Sequence, residues 1–495
     1  MVLIISSILL ILFLLIKWYS NSTKSKNLPP SPPKLPIIGN LHQLGRLPHR
    51  TFLSLAKKYG PIMQLHFGSV PVLVISSADA AREILKTHDL VFANRPQKKN
   101  YKILIYDCKD VSTAPYGEYW RQIKSISVLH LLSAKRVQSL RAVREEEVGL
   151  MMEKIKHYSS KSLPVNISEL ASKITNDIVC RVALGRKYDG ESGKGFKKLL
   201  REFNESLSAF IVGAYVPWLD WVTHVSGFYA RAKKVAKQFD ELLEDVVEDH
   251  INRQKGVNED HDDFVDVLLW IQKTESLGFP IDRTIIKALL LDMFIGGTDT
   301  ISSLLEWEMT ELIRHPNIMK KLQEEARLVA NGRKHITEED LSHMNYLKAV
   351  VKETLRLHPP FPLLVPRVNT QDIKLNGYHI KAGTHVIINN WSIARDPTNW
   401  NQPEEFKPER FLNNPIDIKG NDLILTPFGA GRRGCPGVVY AIAANEIVLA
   451  NLIHQFDWEL PGGAKGLETL DMSETIGFIA HRNTPLVALA TPNKK

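Results

Sequence analysis

Residues 427–437 read Pro-Phe-Gly-Ala-Gly-Arg-Arg-Gly-Cys-Pro-Gly, and an apolar, alanine-rich stretch with helical periodicity follows them up to Phe456. The sequence therefore predicts a loop that leads into a helix. The proline after Cys435 would occupy the first helical position, where its missing N–H costs nothing. The free N–H groups of Gly437 and Val438 would then point at the cysteine sulfur, where the helix dipole favours negative charge. This arrangement indicates a site for a thiolate.

Two other interpretations of the same loop remain open at this point. Cys435 could be an ordinary buried cysteine, because free cysteines usually pack as small hydrophobic residues. The spacing of Gly429, Gly431 and Gly434 also matches a dinucleotide-binding fingerprint. That fingerprint belongs to an alternation of strands and helices, which is not visible around this loop.

The loop resembles the haem-binding loop of cytochromes P450, whose pattern is Phe-x-x-Gly-x-Arg-x-Cys-x-Gly. Every fixed position is matched, by Phe428, Gly431, Arg433, Cys435 and Gly437. The resemblance implies that Cys435 is the proximal thiolate ligand of haem iron. It also implies that Arg433 binds a haem propionate.

Three further motifs match the same family in the same order along the chain. Trp120 and Lys124 fall on Trp-x-x-x-Arg, whose residues bind a propionate, although lysine lacks the planar fork of arginine. Arg367 matches another propionate ligand. The resemblance also implies a buried network that locks the core behind the haem, formed by Glu353, Arg356 and Arg410.

A long apolar helix pattern from Asp282 to His315 contains Gly296-Gly297-Thr298-Asp299-Thr300 at its centre. A glycine pair beside hydroxyl groups is a recognised cause of a helix kink, although close packing against small residues is an alternative. The family pattern is Ala/Gly-Gly-x-Asp/Glu-Thr-Thr/Ser, from which only Ile301 departs. The resemblance implies that Asp299 and Thr300 deliver protons for oxygen activation, which weighs against isomerase-like members of the family.

Composition and the first residues predict the compartment. The chain has 495 residues, 63 Lys and Arg against 54 Asp and Glu, and only three cysteines, Cys108, Cys180 and Cys435. Sparse cysteines indicate a reducing compartment, and no nucleic-acid motif is present. We expect a membrane anchor over residues 1–20 rather than a cleaved signal peptide, a basic and proline-rich hinge over 21–36, and a catalytic domain over 37–495. The excess of basic residues has two interpretations. It could form a basic face that attracts an acidic redox partner or anionic lipid, or it could belong to an ordinary basic surface.

Taken together, the motifs resemble the large plant microsomal group of the family. The implied fold is mainly α, with a smaller β-rich region near the N-terminus. The implied activity is insertion of one oxygen atom from O2 into a small apolar metabolite, a terpenoid or an aromatic phenylpropanoid, with haem b as cofactor. Electrons would come from NADPH–cytochrome P450 reductase, with cytochrome b5 as an optional donor, at the endoplasmic reticulum membrane with the catalytic domain in the cytosol.

Family positions that line the pocket fall on mostly apolar residues. They are Ile103, Val111, Phe210, Asp292, Ile295, Gly296, Thr300, Leu364, Val365 and Ile476. We place Asp292 either against a substrate hydroxyl or amine, or in solvent. Two rival functions are kept: a membrane-tethered nicotinamide dehydrogenase that uses the Gly429–Gly434 loop, and a haem protein without monooxygenase turnover.

Overall fold

The structure is a computed structural model that describes residues 27–188, 190–253, 263–274, 278–477 and 479–493. The predicted anchor and most of the basic part of the hinge lie outside these ranges. So does the side chain of Ile476, whose backbone is described.

Helices dominate the described chain, as the sequence predicts. Their bounds are α1 Pro48–Tyr59, α2 Ala78–Arg82, α3 Lys99–Leu104, α4 Glu118–Ile126, α5 Ala134–Ser139, α6 Arg141–Ser160, α7 Ile167–Leu184, α8 Gly190–Ser208, α9 Asp220–Val225, α10 Phe228–Asn252, α11 Phe264–Thr274, α12 Arg283–Gly297, α13 Asp299–Arg314, α14 Pro316–Ala330, α15 Asn345–Leu357, α16 Asn390–Ile393, α17 Val438–Gln455 and α18 Ala464–Glu468.

The strands are short, and the largest sheet joins two distant parts of the chain. Their bounds are β1 Ile62–Phe67, β2 Val70–Ile75, β3 Val165–Asn166, β4 Arg367–Val368, β5 Ile373–Leu375, β6 Tyr378–Ile380, β7 His385–Ile388, β8 Phe456–Glu459, β9 Glu474–Ile476, β10 Ala480–Arg482 and β11 Val487–Pro492. Strands β1 and β2 form a hairpin that pairs Ile62 with Ile75 and Phe67 with Val70. Strand β7 adds to β2 in parallel and β4 completes the order β1-β2-β7-β4. The β-rich region therefore also includes two strands from the C-terminal half of the chain.

The central element is the pair α12–α13, which runs through the main hydrophobic core and packs against α7, α15 and α17. Within the described residues, α12–α13 and α17 are apolar and long enough to span a membrane. However, 78% and 67% of their most apolar windows are buried inside the protein, which is typical of core helices. The Cys435 loop lies at the start of α17 and the Asp299 motif at the start of α13, and these two starts are close together, since a Cβ on Gly297 would lie 3.6 Å from the Tyr440 ring.

Candidate active site

Cys435 lies in a tight loop immediately before α17. Its N–H donates to the carbonyl of Phe428 at 2.9 Å, and the Gly437 N–H donates to its Sγ at 3.3 Å. The predicted backbone donation to the sulfur is therefore present from Gly437, whereas the described chain shows no such bond from Val438. The helix begins at Val438, so Pro436 lies in the preceding turn rather than at the first helical position.

Gly431 is the residue that allows the loop to approach the segment before it. Its φ is +69°, and a Cβ there would lie 2.3 Å from the Leu85 carbonyl oxygen and 2.8 Å from the Asp89 carboxyl. The backbone N–H of Arg432 donates to Asp89 Oδ2 at 2.8 Å. Because backbone and carboxylate fill the space beside Gly431, this glycine serves protein packing rather than close approach of a pyrophosphate.

The sulfur of Cys435 faces an enclosed space. The cysteine side chain has accessible surface, yet the surrounding protein desolvates it, and this desolvation raises the pKa of the thiol. The Gly437 N–H and the nearby Lys124 act to lower that pKa. A side chain that is accessible but desolvated lies against an internal cavity. A metal that binds there would favour the thiolate.

A cluster of arginine side chains lies at one wall of this cavity. Arg433 donates to the carbonyl oxygens of Ala93, Val111 and Ala114 at 2.7, 3.2 and 2.5 Å. Its guanidinium lies 4.1 Å from the centroid of the Trp120 ring. Trp120 donates from Nε1 to the same Val111 carbonyl at 2.9 Å. The structure thus brings Arg433 and Trp120 together at one wall.

Arg367 and Arg95 complete the cluster. Arg367 donates to Asp89 Oδ1 at 3.0 Å and to the Ala430 carbonyl at 2.8 Å. Sequence reasoning missed Arg95, which donates to the carbonyls of Val365 and Pro366 at 2.7 and 2.8 Å. Arg95 lies one residue before a loop without periodicity, so no sequence motif marks it as a site residue.

The positive charges in this cluster exceed their acidic partners. Burial, together with Arg433 and Arg367, lowers the pKa of Arg95 well below its usual range. Burial and Arg367 lower the pKa of Arg433 to about 9. Among the described residues, Arg95 and Arg433 form no ion pair with a carboxylate. Buried cations in this situation favour an anionic ligand.

Lys124 contacts the backbone of the cysteine loop. Its Nζ donates to the Gly434 carbonyl at 2.7 Å, on the backbone of the cysteine loop. Burial lowers the pKa of its ammonium group to about 8. Lys124 therefore contacts the cysteine loop and lies close enough to Arg433 and Arg95 for their charges to lower its pKa as well, and its propionate contact stays a prediction.

The helix break predicted at the glycine pair lies at Thr298, between α12 and α13, where φ is −100° and ψ is −76°. Its Oγ1 donates to the Phe294 carbonyl at 2.7 Å. A Cβ on Gly297 would lie 3.0 Å from Val179, so close packing explains that glycine. A Cβ on Gly296 would meet nothing within 4 Å, and Gly296 is exposed although its helix is buried. Gly296 therefore opens onto the internal cavity.

The acid and the alcohol follow this break. Thr300 donates from Oγ1 to the Gly296 carbonyl at 2.5 Å, which holds its hydroxyl beside the open position. The carboxylate of Asp299 accepts from Asn204 Nδ2 at 2.6 Å. Burial raises the pKa of Asp299, while His481 and the Asn204 donor oppose the rise. An acid with a raised pKa beside a hydroxyl is suited to proton transfer.

Val111 joins the cysteine loop to the oxygen-side helix. Its carbonyl accepts from Arg433, and its N–H donates to Asp292 Oδ2 at 2.7 Å. Burial and the neighbouring Asp110 raise the pKa of Asp292 well above its usual range. Asp292 is therefore held against the loop rather than solvated.

The predicted buried network is present. Glu353 and Arg356 are fully buried and form two hydrogen bonds, from Nε at 2.7 Å and from a terminal nitrogen at 2.8 Å. Arg410 donates from Nε to Glu353 Oε1 at 3.0 Å. Arg356 also donates to the carbonyls of Ala394 and Pro403. The network fixes the irregular segment that precedes the cysteine loop.

The candidate pocket residues do not all face one space. Ile295 is buried in α12, and Ile103 is half-buried on α3. Phe210 is 62% exposed and stacks on Tyr215 with ring centroids 5.2 Å apart. Leu364 has φ +49°, so the chain turns there. Val365 is 36% exposed, and its carbonyl binds Arg95.

These features fit a haem. The enclosed cavity presents a cysteine sulfur at one side, an unfilled position beside Gly296 at another, and cations that lack acidic partners at its wall. A thiolate is a ligand for haem iron, and guanidinium groups bind carboxylates such as propionates.

Comparisons with known proteins agree with this geometry. Residues 29–486 match the cytochrome P450 family, to which the chain therefore belongs. Cytochrome P450 736A117 of Prunus mume is 57% identical over 97% of this chain and 94% of its own length. Norfluorocurarine oxidase of a Strychnos species is 51% identical over 98% and 97%. A solved zebra fish cytochrome P450 with progesterone has a TM-score of 0.77 at 24% identity, covering 90% of this chain and all of that one, which supports the fold.

The protein is accordingly a cytochrome P450 monooxygenase of the plant type. This confirms the predicted family and the mainly α fold. Family membership implies haem iron, use of O2 and a redox partner. The dehydrogenase and the haem protein without turnover are not supported.

Proposed function

We propose that the protein inserts one oxygen atom from O2 into a small apolar plant metabolite, a terpenoid or a phenylpropanoid, with electrons from NADPH–cytochrome P450 reductase. The observation that carries this proposal is the pair of hydrogen bonds at Val111. Its carbonyl binds Arg433 of the cysteine loop and its N–H binds Asp292 of α12, so the loop is linked to the helix that leads into the Asp299 motif. The N-terminal anchor would place the catalytic domain on the cytosolic face of the endoplasmic reticulum, and the net charge of +9 would favour an acidic reductase. Cytochrome b5 is an optional second donor.

Each residue around the cavity has a separate task in this proposal. Cys435 would hold the iron, while Arg433, Arg367, Arg95 and Trp120 would hold the propionates. A haem held by a thiolate supplies O2 activation and oxygen insertion when it is bound. The propionates would give Arg95 and Arg433 the anionic partners that they lack in the described chain.

The pocket would be apolar where it meets the substrate. Ile295 and Gly296 on α12 and the buried Val111 are the positions that the geometry supports best. Asp292 accepts from the Val111 N–H through Oδ2, and burial with the neighbouring Asp110 raises the pKa of its carboxyl, which disfavours the charged form that would pair with a substrate cation. This favours an uncharged substrate.

Thr300 tests the proton-delivery part of this function. We expect Thr300→Ala to lower product formed per NADPH and to raise hydrogen peroxide, because the hydroxyl beside Gly296 is lost. A positioned proton donor contributes about 10²–10⁴-fold to a step, so the change in partition should be large. The assay uses purified protein, reductase and a terpenoid or phenylpropanoid chosen by the spin shift that it induces in the ferric protein.

Ser302→Ala is the matched control, because the Ser302 hydroxyl is buried and donates to the Asp299 carbonyl at 3.0 Å. It should keep the wild-type ratio of product to peroxide. An unchanged ratio in Thr300→Ala, with haem fully loaded, would remove Thr300 from proton delivery.

A further inference from the structure

Asn204 forms a polar contact between α8 and the oxygen-side motif. Its Nδ2 donates to Asp299 Oδ2 at 2.6 Å, and Asp299 is the first residue of α13. The two residues are 95 positions apart, so this contact depends on how α8 lies against the start of α13. In the sequence, Asn204 stands out only as part of an Asn-Glu-Ser glycosylation sequon. A direct bond to the acid gives it a role that a surface sequon would not have.

The carbonyl end of the Asn204 amide has no partner among the described residues. Its Oδ1 is buried and has no hydrogen-bond partner among the described residues. A buried amide oxygen without a partner is costly, and such groups usually indicate an unfilled interaction. The amide is therefore fixed at one end only, by the Asp299 carboxylate.

His481 acts on Asp299 from a second element. Strand β10 carries His481, and the Ser303 hydroxyl of α13 donates to the neighbouring Ala480 carbonyl at 2.7 Å, which holds the strand against the helix. The charge of Asp299 raises the pKa of His481, although burial lowers it overall. Asp299 thus lies between an amide from α8 and an imidazole from β10.

A primary amide suits a group that gains and loses a proton. Its NH2 end donates to an ionised carboxylate, and its carbonyl end accepts from a protonated one. A half-turn of the amide exchanges the two ends, and the assignment of N and O follows from the hydrogen bonds. A carboxylate at this position could only accept, and an apolar side chain could do neither.

We propose that Asn204 is a positioning residue that holds Asp299 in both of its protonation states during oxygen activation. The inference rests on the proposed function, because it assigns Asn204 a task in proton delivery by Asp299. It also means that α8 must lie against the start of α13 for the acid to be correctly held. Delivery of protons would then depend on the placement of α8.

The test uses Asn204→Asp and Asn204→Leu, which keep the approximate side-chain volume. The matched control is Glu205→Gln, on the exposed side of the same helix. Hydrogen–deuterium exchange of residues 200–208 is measured in the ferric, haem-loaded protein without turnover. The ratio of product to peroxide, and its change in D2O, are measured with reductase, NADPH and the spin-shifting terpenoid or phenylpropanoid.

We expect both Asn204 variants to load haem, to exchange faster over residues 200–208, and to lose product per NADPH about tenfold, the change that corresponds to a lost hydrogen bond of about 1.4 kcal/mol. The D2O effect should grow, because proton transfer becomes slower. Glu205→Gln should match wild type.

Wild-type exchange and wild-type product ratio in both Asn204 variants would overturn the inference. Faster exchange with an unchanged product ratio and D2O effect would also overturn it, because the contact would then be only structural. If Thr300→Ala still releases peroxide in either case, the proposed function stands. If Thr300→Ala is also without effect, proton delivery by this motif fails as a whole.

Discussion

Arg356→Ala is expected to yield little or no haem-loaded protein. The variant leaves Glu353 fully buried, and among the described residues only Arg410 and the Lys407 N–H then remain to balance its charge. Removing one partner of a buried ion pair costs about 3–5 kcal/mol. Typical domains unfold with about 5–15 kcal/mol, so the loss is a large share of the total. The measurement is the free energy of unfolding in urea, together with the haem content of the purified protein.

Two variants separate the buried network from the loss of any arginine. Arg333→Ala removes an arginine that forms two bonds to Asp340 at the surface, and such pairs contribute about 0–1 kcal/mol. It should remain haem-loaded. Arg356→Lys keeps the charge but loses the fork, so it should fall between the two. Equal stability of Arg356→Ala and Arg333→Ala would contradict the role of the network.

Gly431→Ala is expected to destabilise the cysteine loop and to lower haem content. Alanine at φ +69° carries a conformational penalty of about 1–2 kcal/mol. Its Cβ would also lie 2.3 Å from the Leu85 carbonyl, and overpacking of this kind adds about 1–3 kcal/mol. The measurement is again unfolding in urea with haem content.

Gly429→Ala is a close control, because Gly429 has φ +68° and its added Cβ would meet nothing within 4 Å. It carries the conformational penalty without the collision. The difference between the two variants measures the steric cost alone. Equal destabilisation of the two variants would show that the Leu85 backbone moves aside without energetic cost, and would remove the packing explanation for Gly431.

Local patterns determined the elements that the sequence predicted best. Helix α1 and strands β1 and β2 can be predicted from the sequence, because amphipathic spacing and the Gly68-Ser69 turn define them without help from the rest of the chain. The break at Thr298 was also predictable from the glycine pair. Strand β7 was not, since a four-residue strand in parallel contact with β2 has no local signature.

Long-range contacts account for what the sequence left open. Arg95 and Asn204 reach the site only through contacts with distant segments, so neither has a motif of its own. Lys124 matched a propionate position by spacing, yet its ammonium binds the Gly434 carbonyl. Asp292 could be placed on the right helix, but its partner Val111 depends on how the loop folds over that helix.

The most direct test of the haem–thiolate assignment is the carbon monoxide difference spectrum of the reduced protein, recorded for wild type, Cys435→Ala and Cys108→Ala. Cys108 is a free, buried cysteine in the segment between α3 and α4, and it serves as the control cysteine. We predict a strongly red-shifted Soret band in wild type and in Cys108→Ala, and its disappearance in Cys435→Ala. A band that persists without Cys435, or well-folded wild-type protein with no such band, would contradict the assignment.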